Sequence, residues 1–427
     1  MKTRFKALFW ILLTALLVFL AFNRHSKTGI YYYRSQIYAD KAGYYVYLPA
    51  AFIYKFDANL FPDSVDIKTG NGFQLDTVNN KVRTKYLYGV SVMELPFFMI
   101  AHLLASPLGF EANGFSLIYH WAIDLAALFY LLLSFLLLYK ILRQQFSNKT
   151  TLLTLFFLFA GTNLFYYSIQ ETGMSHVYSF FLFSLWIYQL SFWRKLNRSP
   201  ALFGFTSGLV AALIVVVRPL NLLFLLLSIF FNHDFSQRIK AQLQWRFILP
   251  FLLTIVLVAS PQLAYWNYLS GSFFTNPYPG ESFTNWANPR IVEFLFSPNN
   301  GLLLYNPIVL ILFAGLVFMM LHKKENARLI SITILLLIFI SASWWSWHFG
   351  CGFAARNFVE YYVLLSFPLA YLIRFPKAKK VKILFYLLLL LFSAYNLKMI
   401  YSYGGCWFGE DNWDWAQYAH WILKWPA

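Results

Sequence analysis

Charge is what this chain has least of. Only 12% of its 427 residues are Asp, Glu, Lys or Arg, against roughly 25% in an ordinary soluble domain, so lipid must serve as solvent for much of its surface. Acids are scarcer still, 17 against 34 bases, for a net charge of +17. A surplus of that kind marks a nucleic-acid binder only when it forms a basic patch on a folded domain. Here Lys and Arg fall in short gaps between apolar runs, which excludes nucleic acid as a partner. No Walker loop, HExxH or CxxC pair occurs, so no specific metal site is expected and no cofactor, a divalent metal being the open alternative. No internal repeat of fixed period stands out, which argues against a transporter built from inverted halves.

What the chain has is apolar and aromatic: 59% hydrophobic and 21% Phe, Trp or Tyr. The runs are long and unbroken, the pattern of spanning helices rather than the weak alternation of a barrel. The fold class expected is therefore an all-α polytopic membrane protein, a single transmembrane domain over 1–427. Candidate spans, each near the roughly 20 apolar residues a bilayer needs, are 7–22, 115–139, 151–168, 175–192, 201–217, 219–231, 247–268, 301–321, 329–347, 358–373 and 381–401. The first lies behind Lys2, Arg4 and Lys6, and its exit Asn23-Arg24-His25-Ser26 has no small-residue cleavage site, so it reads as an anchor and not a removable signal.

A further run, 87–105, decides the parity. If it does not cross, the gaps holding Lys140/Arg143/Lys149, Arg194/Lys195/Arg198, Arg238/Lys240/Arg246, Lys323/Lys324/Arg328 and Arg374/Lys377/Lys379/Lys380/Lys382 share one side with the N-terminus, gathering 20 of the 34 bases there. The positive-inside rule selects that arrangement, and Glu94, Pro96 and His102 suit a helix half-sunk in the interface. Eleven spans follow, with the N-terminus cytoplasmic and the C-terminus outside. The outer face then carries a first loop 23–114, a second 270–300, the turn 347–356 and a tail 402–427. Fifteen of the 17 acids lie outside the cytoplasmic gaps. Within the first loop, Asp57 to Lys85 is polar, rich in turn formers and expected to be irregular.

Chemistry is expected on this face. The stretch Ile37-Tyr38-Ala39-Asp40-Lys41-Ala42-Gly43-Tyr44-Tyr45 sets one carboxylate among tyrosines. Desolvation there would raise the Asp40 pKa toward that of a general base, unless Asp40 merely caps a helix or pairs with Lys41. Arg218 interrupts an apolar stretch, and its planar donor fork suits phosphate oxygens, although a snorkelling role fits as well. Arg356 either faces a ligand or pairs with Glu360 one helical turn later. Asp124, inside 115–139, reads as a partner for a neighbouring helix or as a group facing a water-filled cleft, ahead of a catalytic role. Cys351 and Cys406 both fall outside, where disulfides persist. They either pair, tying the tail over the site, or stay free.

The early Asp40 in a long first loop, followed by the aromatic and proline stretch 270–300, resembles the GT-C glycosyltransferases, the polyprenyl-phosphate-sugar transferases that include protein mannosyltransferases and the lipid A aminoarabinose transferase. Lys85-Tyr86-Leu87-Tyr88 is similar to that group's Lys-Pro-Pro-Leu-Tyr without its prolines, and Arg218-Pro219 to its Lys-Gly-Pro. Trp344-Trp345-Ser346-Trp347-His348-Phe349-Gly350-Cys351-Gly352-Phe353-Ala354-Ala355-Arg356 resembles its Trp-Tyr-Gly-Gly-Phe-Gly-Pro-Arg turn. Lys41 stands where the group has Glu, and Glu171-Thr172-Gly173-Met174-Ser175-His176 where it often has Asp, so that Glu171 or His176 would substitute.

The resemblance implies a multi-pass enzyme of the plasma (inner) membrane and cell envelope. It would move a hexose or pentose, with inversion, from a polyprenyl phosphate to a hydroxyl of a lipid, glycan or protein. Asp40 would be the base, Arg218 and Arg356 would hold the departing phosphate, and Tyr44, Tyr45 and Lys85 would shape the site. The competing class is a transporter or flippase-like protein that grips a lipid-linked sugar without chemistry.

Overall fold

The computed structural model describes residues 2–424; Met1 and residues 425–427, the extremities of the expected 1–427 domain and of the 402–427 tail, lie outside the described residues. The chain is mostly helical. Its principal helices are α1 (Lys2–His25), α2 (Asp40–Tyr45), α3 (Gly89–Ala105), α4 (Leu117–Leu142), α5 (Asn148–Gly161), α6 (Ser175–Ser191), α7 (Pro200–Val217), α8 (Trp245–Ser270), α9 (Ile308–Leu321), α10 (Ala327–Ser343), α11 (Tyr362–Arg374), α12 (Lys379–Ser402) and α13 (Trp415–Leu423). The only strands among the described residues, β1 (Gln74–Asp76) and β2 (Lys81–Arg83), form one antiparallel hairpin with Leu75 opposite Val82.

Among the described residues, five helices are long and apolar enough to cross a membrane: α4, α7, α8, α12, and α3 with its continuation to Leu108. The first four coincide with expected spans, whereas several other expected spans are shorter or interrupted. The 151–168 segment breaks at Thr162-Asn163 into α5 and Leu164–Ile169, 219–231 contracts to Leu222–Ser228, and 301–321 divides at Asn306-Pro307. These breaks occur where the freed polar groups find protein partners, the condition for irregular backbone at membrane depth. Asn163 Nδ2 donates to the carbonyls of Phe353 and Ala355, and Asn306 Oδ1 accepts from Asn396. Eleven spans therefore do not follow from helix length alone.

The helices run between two polar ends. At one end the basic gaps meet: Lys140 lies over the Tyr188 ring, Arg194 faces Asp234, His233 pairs with Glu325, and Tyr371 donates to Gln145. At the other end the first loop, the 270–300 segment, the 344–356 turn and the tail interlock. Lys85 reaches Glu281, Asn285 donates to the Trp344 carbonyl, and Asn300 donates to those of His348 and Gly350.

Besides the main core, a second apolar cluster underlies the first loop, joining Ile37, Tyr45, Phe61 and Phe73 to Phe98, Ala105, Phe115 and Tyr119. It explains why Asp57 to Lys85, expected to be irregular, holds a hairpin and the short helix Val65–Lys68. Val65, Phe73 and Val82 anchor the segment from below, and Asp76 binds Asn79 and Arg83 from above. Helix α3 packs both on this loop and on the main bundle, which it meets through Val90, Met93 and the Glu94 carboxyl bound by Tyr178. Ser91 bonds the Tyr44 carbonyl near one end, and Phe98, Ala101 and Ala105 join the cluster toward the other.

Candidate functional site

Asp40 opens α2, and the backbone around it is set by glycines that nothing larger could replace. A Cβ on Gly72 would lie 1.8 Å from the Ala39 carbonyl oxygen, and one on Gly43 would lie 2.3 Å from both the Gly72 oxygen and the Tyr86 ring. The 70–72 turn, the start of α2 and Tyr86 are thus in direct contact. The Asp40 carboxyl is left at the wall of a cavity of about 800 Å³.

Arg356 meets it there from the far end of the chain, Nη1 lying 3.1 Å from Asp40 Oδ2, while the Tyr86 hydroxyl donates to Oδ1 at 2.6 Å. The turn that presents Arg356 is held on three sides. Tyr167 bonds Phe353, the Ala354 amide donates to Asn300 Oδ1, and Cys351 is disulfide-bonded to Cys406 of the tail. The two cysteines therefore pair, and both line the cavity.

Three more ion pairs complete the wall. Lys41 Nζ lies 2.7 Å from Glu171 Oε2, Lys85 Nζ lies 2.6 Å from Glu281 Oε1, and Arg218 Nη1 lies 2.8 Å from Glu360 Oε1. Glu360, one of the two roles offered for Arg356 being to pair with it, holds Arg218 instead, and Asp40 is paired with Arg356 and not with Lys41. His176 Nδ1 is 2.8 Å from Arg218 and 3.1 Å from Glu360 Oε2. One ring nitrogen can accept from the first or donate to the second but not both, and in either tautomer Glu360 retains Arg218.

The cavity brings together Asp40, Tyr44, Lys85, Glu171, Arg218 and Arg356. It does not include Tyr45 or His176. Tyr45 points into the apolar cluster and donates to the Gly114 carbonyl at 2.6 Å, and His176 is buried behind Arg218. Asp124 lies in a separate buried network, accepting from Gln36 at 2.6 Å and from Thr172 at 2.7 Å beside His25. The lining also contains residues that sequence reasoning passed over: Tyr86, Tyr167, Glu281 and Trp344. Tyr86 and Trp344 stood inside segments quoted for other residues, and Glu281 was an isolated acid in the aromatic loop.

The electrostatics differ from expectation at the central carboxyl. Burial does push the Asp40 pKa up, but the Arg356 guanidinium, the Tyr86 hydrogen bond and Lys85 outweigh it, and the carboxyl sits below its ordinary range. The same pair, against the opposing effect of burial, raises the pKa of Arg356. Asp40 is therefore ionised but not a strong base while Arg356 is bound to it. Burial, followed by the Asp40 charge, raises the Tyr86 hydroxyl, so Tyr86 stays protonated as a donor. Among the described residues no group of three His, Cys, Asp or Glu side chains converges as a metal-ligand set. Compared with known proteins, the chain matches no family and no curated protein.

Proposed function

We propose that this protein is an integral-membrane glycosyltransferase of GT-C-like architecture, which transfers a sugar from a polyprenyl phosphate to an acceptor hydroxyl. The observation that carries the reading is convergence. Asp40, Lys85, Arg218 and Arg356, spread over more than 300 positions, line one cavity, and its volume of about 800 Å³ is within the usual range of about 300–1,000 Å³ for ligand sites. In the reaction the acceptor oxygen attacks the anomeric carbon and its proton passes to Asp40. The bond from that carbon to the phosphate oxygen breaks with inversion, and the bonding pair leaves with the polyprenyl phosphate. Arg218 and Arg356 stabilise the charge that develops on the leaving oxygen, Lys85 adds to the field, and the Tyr44, Tyr278 and Trp344 rings suit the apolar face of a sugar.

The membrane arrangement belongs to the same reading. Eleven segments cross, the interrupted ones included, and α3 lies at the surface, a placement supported by the contacts of Ser91, Phe98, Ala101 and Ala105 with the first loop. The end bearing the basic gaps faces the cytoplasm of the plasma (inner) membrane, which puts the cavity outside.

The test is Asp40→Asn in purified protein given a panel of polyprenyl-phosphate hexoses and pentoses, with release of polyprenyl phosphate as the readout. Loss of a general base lowers turnover by about 10²- to 10⁴-fold with lipid-phosphate binding retained. Full turnover, or none in the wild type with any donor, favours a carrier that grips the lipid without chemistry.

A further inference from the structure

Every basic side chain that lines the cavity already has an acidic partner: Lys41 has Glu171, Lys85 has Glu281, Arg218 has Glu360, and Arg356 has Asp40. An anionic ligand entering this cavity meets no cation without an acidic partner, so it competes with a carboxylate for whichever cation it binds, even where a guanidinium keeps further N–H donors for it. The four pairs are not equally ready to give way. Glu360 is 1% exposed and would be left as a bare buried charge, which is costly. Lys41 is buried as well, and Lys85 stands over the Tyr86 and Tyr278 rings.

Asp40 is the most exposed of the four acids, 35% against 24% for Glu281, 17% for Glu171 and 1% for Glu360, and its second oxygen keeps the Tyr86 hydroxyl whether or not Arg356 stays. The guanidinium for its part has planar donors that fit a phosphate as well as they fit a carboxylate.

We propose that the Asp40–Arg356 pair is a latch opened by the phosphate of the lipid donor: Arg356 exchanges the Asp40 carboxylate for the phosphate, and only then is Asp40 free to take a proton. The inference rests on the transferase reading above and adds an order to it. The donor binds first and unmasks the base, so an acceptor or water that enters an empty site meets a carboxylate held by a guanidinium. Charge is conserved in the exchange, one anion replacing another on the same cation.

The experiment is a double-mutant cycle on binding of farnesyl phosphate, a short polyprenyl monophosphate, to the full-length wild type, D40N, R356Q and D40N/R356Q. In the wild type the phosphate competes with Asp40 for Arg356, and apparent affinity is reduced by the fraction of molecules that are unlatched. D40N therefore binds about tenfold more tightly if roughly one molecule in ten is open. R356Q weakens binding, and D40N adds no tightening in the R356Q background. Simple repulsion between Asp40 and the phosphate would tighten binding equally in both backgrounds, and that result, or no tightening at all, overturns the latch while the donor reading stands. Failure of all four proteins to bind the lipid phosphate overturns both.

Discussion

Arg356 sets the protonation of Asp40, and that has a consequence for pH. Because the folded-state pKa of Asp40 is depressed, its ionised form and the stability it contributes are present above the ordinary value of 3.8 and are lost as pH falls through the lower one. If the proposed transferase activity holds, the acid limb of kcat/KM, which reports the free protein, is expected below 3.8 in the wild type. In R356Q burial is no longer outweighed by the guanidinium, and the limb moves to higher pH. An unmoved limb would show that it belongs to another group. Glu360 supports a second expectation: E360Q leaves the Arg218 guanidinium short of its charged partner in a buried site, and such losses cost about 3–5 kcal/mol, read as a lowered melting temperature. Of these residues, Asp40, Arg218 and Arg356 were legible in the sequence, each an ionised side chain with apolar or aromatic flanks. The pairings were not, because the only partners that sequence proximity offered as alternatives to a ligand role, Glu360 for Arg356 and Lys41 for Asp40, are not the ones found. Tyr44 and Tyr45 make the same point: successive helix positions point about 100° apart, so one lines the cavity and its neighbour is buried in the loop cluster.

At the scale of elements, the 344–356 turn depends on its disulfide. Cys351 and Cys406 are 55 residues apart, and closing a loop of that length contributes up to about 4 kcal/mol in the chain-entropy treatment. Reductant is therefore expected to lower the melting temperature of the wild type and to leave C351S/C406S, already lower, unchanged. Equal sensitivity of both would mean that the reductant acts elsewhere. The turn was readable as a motif, and the cysteine pair as one of two outcomes. The order within Asp57 to Lys85 was not readable, since its turn formers and polar residues are spaced like those of an open loop. The apolar anchors that hold it, Val65, Phe73 and Val82, find their partners in distant segments. The interrupted helices were missed for a related reason. A hydropathy window averages across Thr162-Asn163 or Asn306-Pro307, whereas the backbone breaks where a neighbouring segment, the 344–356 turn in one case and α12 in the other, offers hydrogen bonds.

For the whole molecule the expectation concerns sidedness. Asn71 and Arg198 are exposed at opposite polar ends, and with both native cysteines oxidised a single introduced thiol reports cleanly. A membrane-impermeant maleimide applied to intact cells is expected to label N71C and to label R198C only after permeabilisation. The reverse pattern would place the cavity in the cytoplasm. Composition and the spacing of charges by themselves dictated the helical class, the need for lipid as solvent and the collection of basic gaps at one end, because transfer free energy and charge asymmetry are sums along the chain. Which acid answers which base, where helices break, and that residues more than 300 positions apart share one cavity were decided only by the tertiary structure. A salt bridge forms over a few ångströms in space, and side-chain direction and packing determine what falls within that reach.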